Sequence, residues 1–138
     1  MPRNLLFAPC QIALVDGATT GLSIVNIIES VGVRTFPAVM QDVSIVTMWR
    51  RHEDEAESQM VQKITLEDPD HRVVLSAETP FIFERIGHRT INRLSITFPG
   101  PGPYELCLYI TRAGADFPEH PVTRFPIVVQ QAPTLQVA

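Results

Sequence analysis

The sequence predicts an all-β protein of about eight antiparallel strands that form a two-sheet sandwich, and three observations predict it. Short runs rich in β-branched residues recur at roughly ten-residue intervals, which is the spacing of a β-sandwich. The chain contains 12 prolines among 138 residues, a content that is hard to reconcile with long helices. This length suffices for one domain with a buried core. We therefore expect a single domain over residues 1–131 and a frayed C-terminal tail over residues 132–138.

The strands are predicted from apolar runs that end at turn-forming residues. The segment from Asp16 to Gly21 is rich in residues that tolerate left-handed backbone, and it closes the first run. Asp68-Pro69-Asp70-His71 is a strong turn signal, because proline pre-sets the backbone at the second turn position. The predicted strands are Leu5–Val15, Leu22–Ile28, Asp42–Arg50, Met60–Leu66, Val73–Leu75, Ile91–Phe98, Tyr104–Thr111 and Val122–Gln130.

The strand Asp42–Arg50 has apolar side chains on both faces, which indicates a strand inside a packed sheet with Trp49 in the core. A polar stretch over residues 51–58 links it to Met60–Leu66, and this pattern predicts a hairpin between the two strands. Residues 53–61 have fair helix propensity but no apolar stripe, so we expect at most a turn or two of helix there.

The charge pattern argues against nucleic-acid and membrane partners. The formal net charge is −4, Lys63 is the single lysine, and the arginines are scattered along the chain, whereas a nucleic-acid partner requires clustered basic residues. No run approaches the ~18 apolar residues of a membrane helix, and no export signal precedes the first strand. We therefore expect a cytoplasmic protein in which Cys10 and Cys107 are buried, reduced thiols.

The segment Thr79–Arg89 supplies a candidate interface, formed by Phe81, Ile82, Phe83 and Arg85. In one interpretation, alternation places Phe81 and Phe83 in the core of an edge strand, with Ile82 outside. In the other, the three apolar side chains form an exposed patch that meets another subunit and is rimmed by charged residues such as Arg85. An edge strand can also pair with its symmetry mate, so we expect a homo-oligomer or a protein partner.

Acidic turns supply a candidate loop site. If distant loops meet at one end of the fold, their carboxylates could bind calcium, which needs six to eight oxygen ligands. The residues that could converge are Asp16, Asp68, Asp70, His71 and Asp116. The histidines of the chain lack the short spacing of a zinc site, so we expect each of them to lie in a surface turn.

The sequence contains no catalytic motif, neither a Gly-x-Ser-x-Gly elbow nor a His-Glu-x-x-His zinc motif. Pro101 and Pro103 stand where a phosphate-binding loop would need backbone N–H donors. We therefore predict a non-enzymatic binding or assembly module that self-associates and needs no cofactor. The alternative is a loop-based metal or small-ligand site, a hydrolytic one included.

Several motifs, in order along nearly the whole chain, carry a family resemblance. They are Cys10-Gln11-Ile12-Ala13, Asp16-Gly17 leading to Leu22-Ser23-Ile24-Val25, Phe36-Pro37-Ala38-Val39, Leu66-Glu67-Asp68-Pro69-Asp70, and Phe98-Pro99-Gly100-Pro101-Gly102-Pro103-Tyr104. On these motifs the chain resembles a family of short bacterial all-β proteins catalogued only as a domain of unknown function. The resemblance implies an immunoglobulin-like antiparallel β-sandwich of about eight strands, and it implies no activity.

Overall fold

The computed structural model describes residues 1–132, which contain nine strands. The strands are β1 (Arg3–Val15), β2 (Leu22–Ile27), β3 (Ser30–Val33), β4 (Ala38–Arg50), β5 (Gln59–Glu67), β6 (Val73–Ile82), β7 (Gly87–Phe98), β8 (Gly102–Arg112) and β9 (Thr123–Gln131). The helical part of these residues is a single 3-10 turn at Glu53–Glu55, and they contain no helix long and apolar enough to cross a membrane. The predicted tail over residues 132–138 lies outside the described residues except for Ala132, whose N–H donates to the Val33 carbonyl.

The strands form a four-stranded and a five-stranded sheet. The first has the order β2-β1-β4-β7 and the second the order β3-β9-β8-β5-β6. The strand pairings are antiparallel apart from that of β3 with β9, which is parallel. The chain changes sheets after β2, β3, β4, β6 and β7, so most consecutive strands lie in different sheets.

The two sheets pack face to face around one large apolar core. Alternate residues point into it, namely Val43, Ile45 and Trp49 of β4 and Leu106 and Leu108 of β8. Because side chains alternate between the two faces of a strand, a slip of one residue would turn this apolar set toward solvent. The alternation therefore fixes the register of the central strands.

The second half of β1 and β2 form a hairpin that lies across the outer face of the four-stranded sheet. Cys10 and Ala13 of this hairpin pack with Val46 of β4 in a second, smaller core. Near the tip of the hairpin, the Thr20 carbonyl accepts a hydrogen bond of 3.2 Å from Arg89 Nη2 of β7. This third layer explains why β4 is apolar on both faces.

All the predicted strands are present, as is the short helical turn, and the predicted buried, free thiols are confirmed. The structure adds β3, which is too short to give the sequence pattern of a strand. The predicted hairpin between β4 and β5 is wrong. These strands belong to different sheets, because the apolar face of each is buried against the opposite sheet across the core.

A buried amide joins the two sheets. Gln62 of β5 accepts a hydrogen bond of 2.9 Å from Trp49 Nε1 of β4 through its Oε1 atom. Its Nε2 atom donates to Thr90 Oγ1 and Asn92 Oδ1 of β7 at 2.9 and 3.2 Å. Asn92 Nδ2 donates in turn to Thr79 Oγ1 of β6 at 2.9 Å. Four strands from both sheets therefore share one hydrogen-bond network.

A tyrosine and a glycine fix the start of β8. Tyr104 Oη donates to the Gly100 carbonyl at 2.7 Å and accepts the Gly100 N–H at 3.2 Å. Gly102 has a φ of 131°, and a Cβ atom built there would lie 2.6 Å from Cγ of Pro69 in the β5–β6 turn. No side chain fits at position 102 without moving that turn.

We expect Gln62→Leu to lower the free energy of unfolding by about 2–3 kcal/mol, because the buried Trp49 N–H and the half-buried Asn92 amide oxygen would lose their partner. Urea denaturation measures this loss. Gln59→Leu is the matched control, since its side chain is exposed at the start of the same strand. Equal stabilities for the two variants, within ~0.5 kcal/mol, would show that the network is dispensable.

We expect Gly102→Ala to lower the free energy of unfolding by about 2 kcal/mol, because the new methyl group would meet Pro69 at a φ that alanine rarely adopts. Gly17→Ala is the control, since a Cβ atom there meets no heavy atom within 4 Å. Scanning calorimetry compares the two melting temperatures. A Gly102→Ala protein with the same melting temperature as the control would show that a side chain at position 102 does not clash with Pro69.

Candidate functional site

The structure separates the four residues of the predicted interface. Phe81 and Phe83 are only 8% and 0% exposed and belong to the main core, whereas Ile82 and Arg85 are exposed. The interpretation of an exposed patch formed by all three apolar side chains is therefore wrong. The reason is strand alternation, which turns Ile82 outward at the end of β6, an edge strand of its sheet.

A pocket of about 540 Å³ opens beside these residues, where β6 ends and β7 begins. Two charged residues, Glu84 and Arg85, line it from the turn between the strands. Within residues 1–132 neither of them has an ion-pair partner. Its apolar and aromatic walls include Met60, Pro80, Phe81, Ile82, Gly87 and His88. The pocket thus combines an apolar interior with one unpaired charge of each sign.

Hydrogen bonds from the loop between β4 and β5 hold the β6–β7 turn in place. The Arg51 backbone N–H donates to the Ile86 carbonyl at 2.9 Å, and Arg51 Nε donates to the Arg85 carbonyl at 3.1 Å. The Glu57 N–H donates to the Phe83 carbonyl at 2.9 Å. The wall of the pocket is therefore preformed.

His88 differs from the predicted surface histidine, because it is half-buried against aromatic rings, whereas the other three histidines are exposed. Its ring stacks on Phe81 with 4.2 Å between centroids and an interplanar angle of 6°, and it meets Phe83 edge-on at 6.1 Å. Burial lowers the pKa of His88 below its ordinary value, and the Glu84 carboxylate opposes this more weakly. His88 is therefore mainly neutral at pH 7.

The predicted loop site does not form. Asp68, Asp70 and His71 lie in the β5–β6 turn, Asp116 lies in the β8–β9 loop, and Asp16 lies in the hairpin turn over the other sheet. Because β5 and β8 are antiparallel, the β5–β6 turn and the β8–β9 loop lie at opposite ends of their sheet, roughly 25 Å apart. Within residues 1–132, no group of three or more His, Cys, Asp or Glu side chains could hold a metal ion.

The turn aspartates stabilise their own turns instead. Asp68 Oδ1 accepts hydrogen bonds of 2.9 Å from the backbone N–H groups of Asp70 and Arg72. Asp16 Oδ1 accepts the Ala18 N–H at 2.7 Å, and this bond is the main cause of a pKa of Asp16 below its ordinary value. These carboxylates have the structural role that their turn sequences indicate.

A second surface feature is the solvent side of the β1–β2 hairpin. Ile12 lies opposite Val25 in the strand register, and Leu14 lies two residues further along β1 on the same face. These three side chains are 44–55% exposed, and we call them the hairpin face. Within residues 11–28 the single charged side chain is Asp16, in the turn.

The edge strands differ in their protection against pairing with other chains. β7 carries Arg89 and Arg93, β6 carries Glu78 and Pro80, and β3 has only four residues. Charge, proline and short length are the usual means of protecting an edge. The six-residue edge strand β2 contains neither a charge nor a proline.

The outer face of the five-stranded sheet buries a thiol among charges. Arg124 Nη1 lies 3.8 Å from Cys107 Sγ and also contacts Glu105. Burial, and then the Glu67 carboxylate, raise the pKa of Cys107, while Arg124 lowers it by less. Burial also raises the pKa of Cys10. Both thiols are therefore protonated at pH 7 and poor nucleophiles.

Sequence reasoning missed the hairpin face and the role of His88. The hairpin face has a signal, because residues 11–28 combine apolar side chains on both faces of two strands with almost no charge. The sequence gives no signal for the burial of His88, because that burial depends on the β6–β7 turn, which brings the His88 ring against Phe81.

The comparisons with known proteins give a family but no activity. The family model described as a family of unknown function, DUF6941, matches residues 6–130. No curated protein matches the chain. The family match confirms the resemblance, seen in the sequence motifs, to a family without known function.

We expect the stability of the protein to depend on pH through His88. Because the folded state disfavours the charged imidazole, the unfolded chain binds a proton more readily, and the free energy of unfolding should fall as the pH drops below about 6.5. His88→Phe keeps a ring on Phe81 but cannot titrate, so its stability should vary less between about pH 7 and pH 5. Urea denaturation across this range measures both proteins, and equal slopes would rule out a buried, titrating His88.

Proposed function

Because the chain belongs to DUF6941, a family of unknown function, we propose its role from its surface. It is a non-enzymatic assembly module in which two copies pack their hairpin faces together, with the edge strand β2 in the contact. The observation that carries this proposal is the uncharged, aliphatic solvent side of the β1–β2 hairpin.

The hairpin face supplies part of the apolar area that a dimer requires. Its three side chains expose roughly 270 Å² of apolar surface, close to the size of the largest patches on monomers, which are often functional. A standard interface takes about 800 Å² from each partner, of which roughly 450 Å² is apolar. The hairpin face supplies more than half of that apolar area, and exposed polar residues beside it, such as Gln11 and Ser23, supply a rim.

A second copy of the chain is the occupant that the charges favour. Each copy has a formal net charge of −4, so two copies repel each other over much of their surface. The hairpin face itself carries no charge, and Asp16 in the turn is the single charged residue of residues 11–28, so few like charges oppose each other when two copies meet here. A two-fold axis presents the same patch from both copies, and an aliphatic surface is complementary to itself.

We also propose that the fold is an immunoglobulin-like antiparallel sandwich. The strand order supports this topology, because the chain changes sheets repeatedly and places β1, β4 and β7 in one sheet and β9, β8, β5 and β6 in the other. The hydrogen bond from Tyr104 to the Gly100 carbonyl at the start of β8 supports it as well, since it resembles the tyrosine corner of that fold.

A cytoplasmic location is part of the proposal, and the two thiols support it. Cys10 packs on the outer side of the four-stranded sheet and Cys107 on the outer side of the other, so the two sulfur atoms cannot meet in a disulfide. Buried, unpaired cysteines are typical of a reducing compartment.

We expect Ile12→Lys/Val25→Lys to weaken self-association at least ~10-fold, because the dimer would bury four ammonium groups against one another. Sedimentation equilibrium between roughly 1 and 100 μM measures the dimer dissociation constant for both proteins. Both positions are about half exposed in a single copy, so the variant should fold.

The matched control is Val73→Lys/Val74→Lys, which adds the same charge to exposed valines of the edge strand β6. We expect this control to associate like the parent protein. A parent that is monomeric at ~100 μM, or a control that dissociates as readily as the hairpin variant, would refute the proposed interface.

A further inference from the structure

The pocket beside Phe81 lies outside the proposed dimer contact, because β5, β6, β7, the β6–β7 turn and Ala113 after β8 line it and the hairpin face does not. We infer that this pocket binds a small aromatic zwitterion of the amino-acid or dipeptide class. The inference is independent of self-association and can fail or succeed separately.

The walls of the pocket favour a flat, apolar group. Phe81 and His88 are stacked rings, of which His88 is the more exposed, and Pro80 and Ile82 add exposed apolar surface. Aromatic ligands pair well with such rings in offset or edge-on arrangements. His88 is mainly neutral at pH 7, so these walls add no charge that an apolar group would have to desolvate.

The charges of the pocket favour a ligand with one charge of each sign. Glu84 and Arg85 are neighbours in the turn, both line the pocket, and neither is engaged in an ion pair with another described residue. A ligand carboxylate can form paired hydrogen bonds with the Arg85 guanidinium, and a ligand ammonium can bind the Glu84 carboxylate. A ligand with a single charge would satisfy one of these groups and be repelled by the other.

The pocket has the size and rigidity of a binding site. Its volume of about 540 Å³ falls within the ~300–1,000 Å³ of small-molecule sites. The hydrogen bonds from Arg51 fix the turn that carries Glu84 and Arg85. Binding therefore requires little ordering of the protein backbone, a cost that weakens ligand affinity at mobile sites.

The test titrates the full chain with four probes, namely L-phenylalanine, L-phenylalanylglycine, phenethylamine and 3-phenylpropionate. Two-dimensional NMR follows the backbone amides of Gly87 and His88 in the pocket and of Val25 in the hairpin. We expect at least one zwitterion to bind ~10-fold more tightly than either analogue with one charge, and to shift the pocket amides only. The tighter of the two zwitterions separates an amino-acid site from a dipeptide site.

Two charge-neutralising variants identify the groups involved. Arg85→Gln should weaken the zwitterion and 3-phenylpropionate ~10-fold and should not weaken phenethylamine. Glu84→Gln should weaken the zwitterion and phenethylamine ~10-fold and should not weaken 3-phenylpropionate. Glu78→Gln and Arg72→Gln change exposed charges away from the pocket and should leave every affinity unchanged. The inference is overturned if no probe shifts the pocket amides at ~10 mM, or if both pocket variants bind all probes like the parent.

Discussion

The structure depends on a buried amide in the space between its two sheets. A polar group in an apolar core costs free energy unless its donors and acceptors have partners. Gln62 meets this requirement by accepting from Trp49 and donating to Thr90 and Asn92. Because these groups come within hydrogen-bond distance in one arrangement of β4, β5 and β7, the network selects how the sheets face each other as well as stabilising the contact.

Both candidate surfaces arise where the regular two-sheet packing ends. The hairpin buries Val46 on the outer side of β4, but a two-stranded layer has a second side of its own, and there Ile12 and Val25 face solvent. The pocket lies where the chain leaves β6 to enter the other sheet, so that Phe81 closes the core from inside and Ile82 faces outward. Regular packing thus defines the scaffold, and its boundaries provide the surfaces on which recognition can be built.

The strands and turns could be predicted because their signals are local. The Asp68-Pro69 turn and the alternation around Phe81 each depend on residues adjacent in sequence. Strand pairing could not be predicted in this way, because alternation shows which side chains of a strand share a face but not which other strand pairs with it. For this reason the pattern joined β4 to β5, and it could not place the turn of Asp68 and the loop of Asp116 at opposite ends of a sheet.

The parallel pairing of β3 with β9 has a consequence for how the protein is made. It joins the first third of the chain to its last strand, and Thr123 Oγ1 of β9 also donates to Asn4 Oδ1 of β1 at 2.8 Å. On the ribosome, β1 and β3 emerge long before β9 is synthesised, and until then β3 has no strand to pair with. Such distant contacts form slowly and leave edges open in the incomplete chain. The nascent protein therefore completes its second sheet only after translation has passed β9.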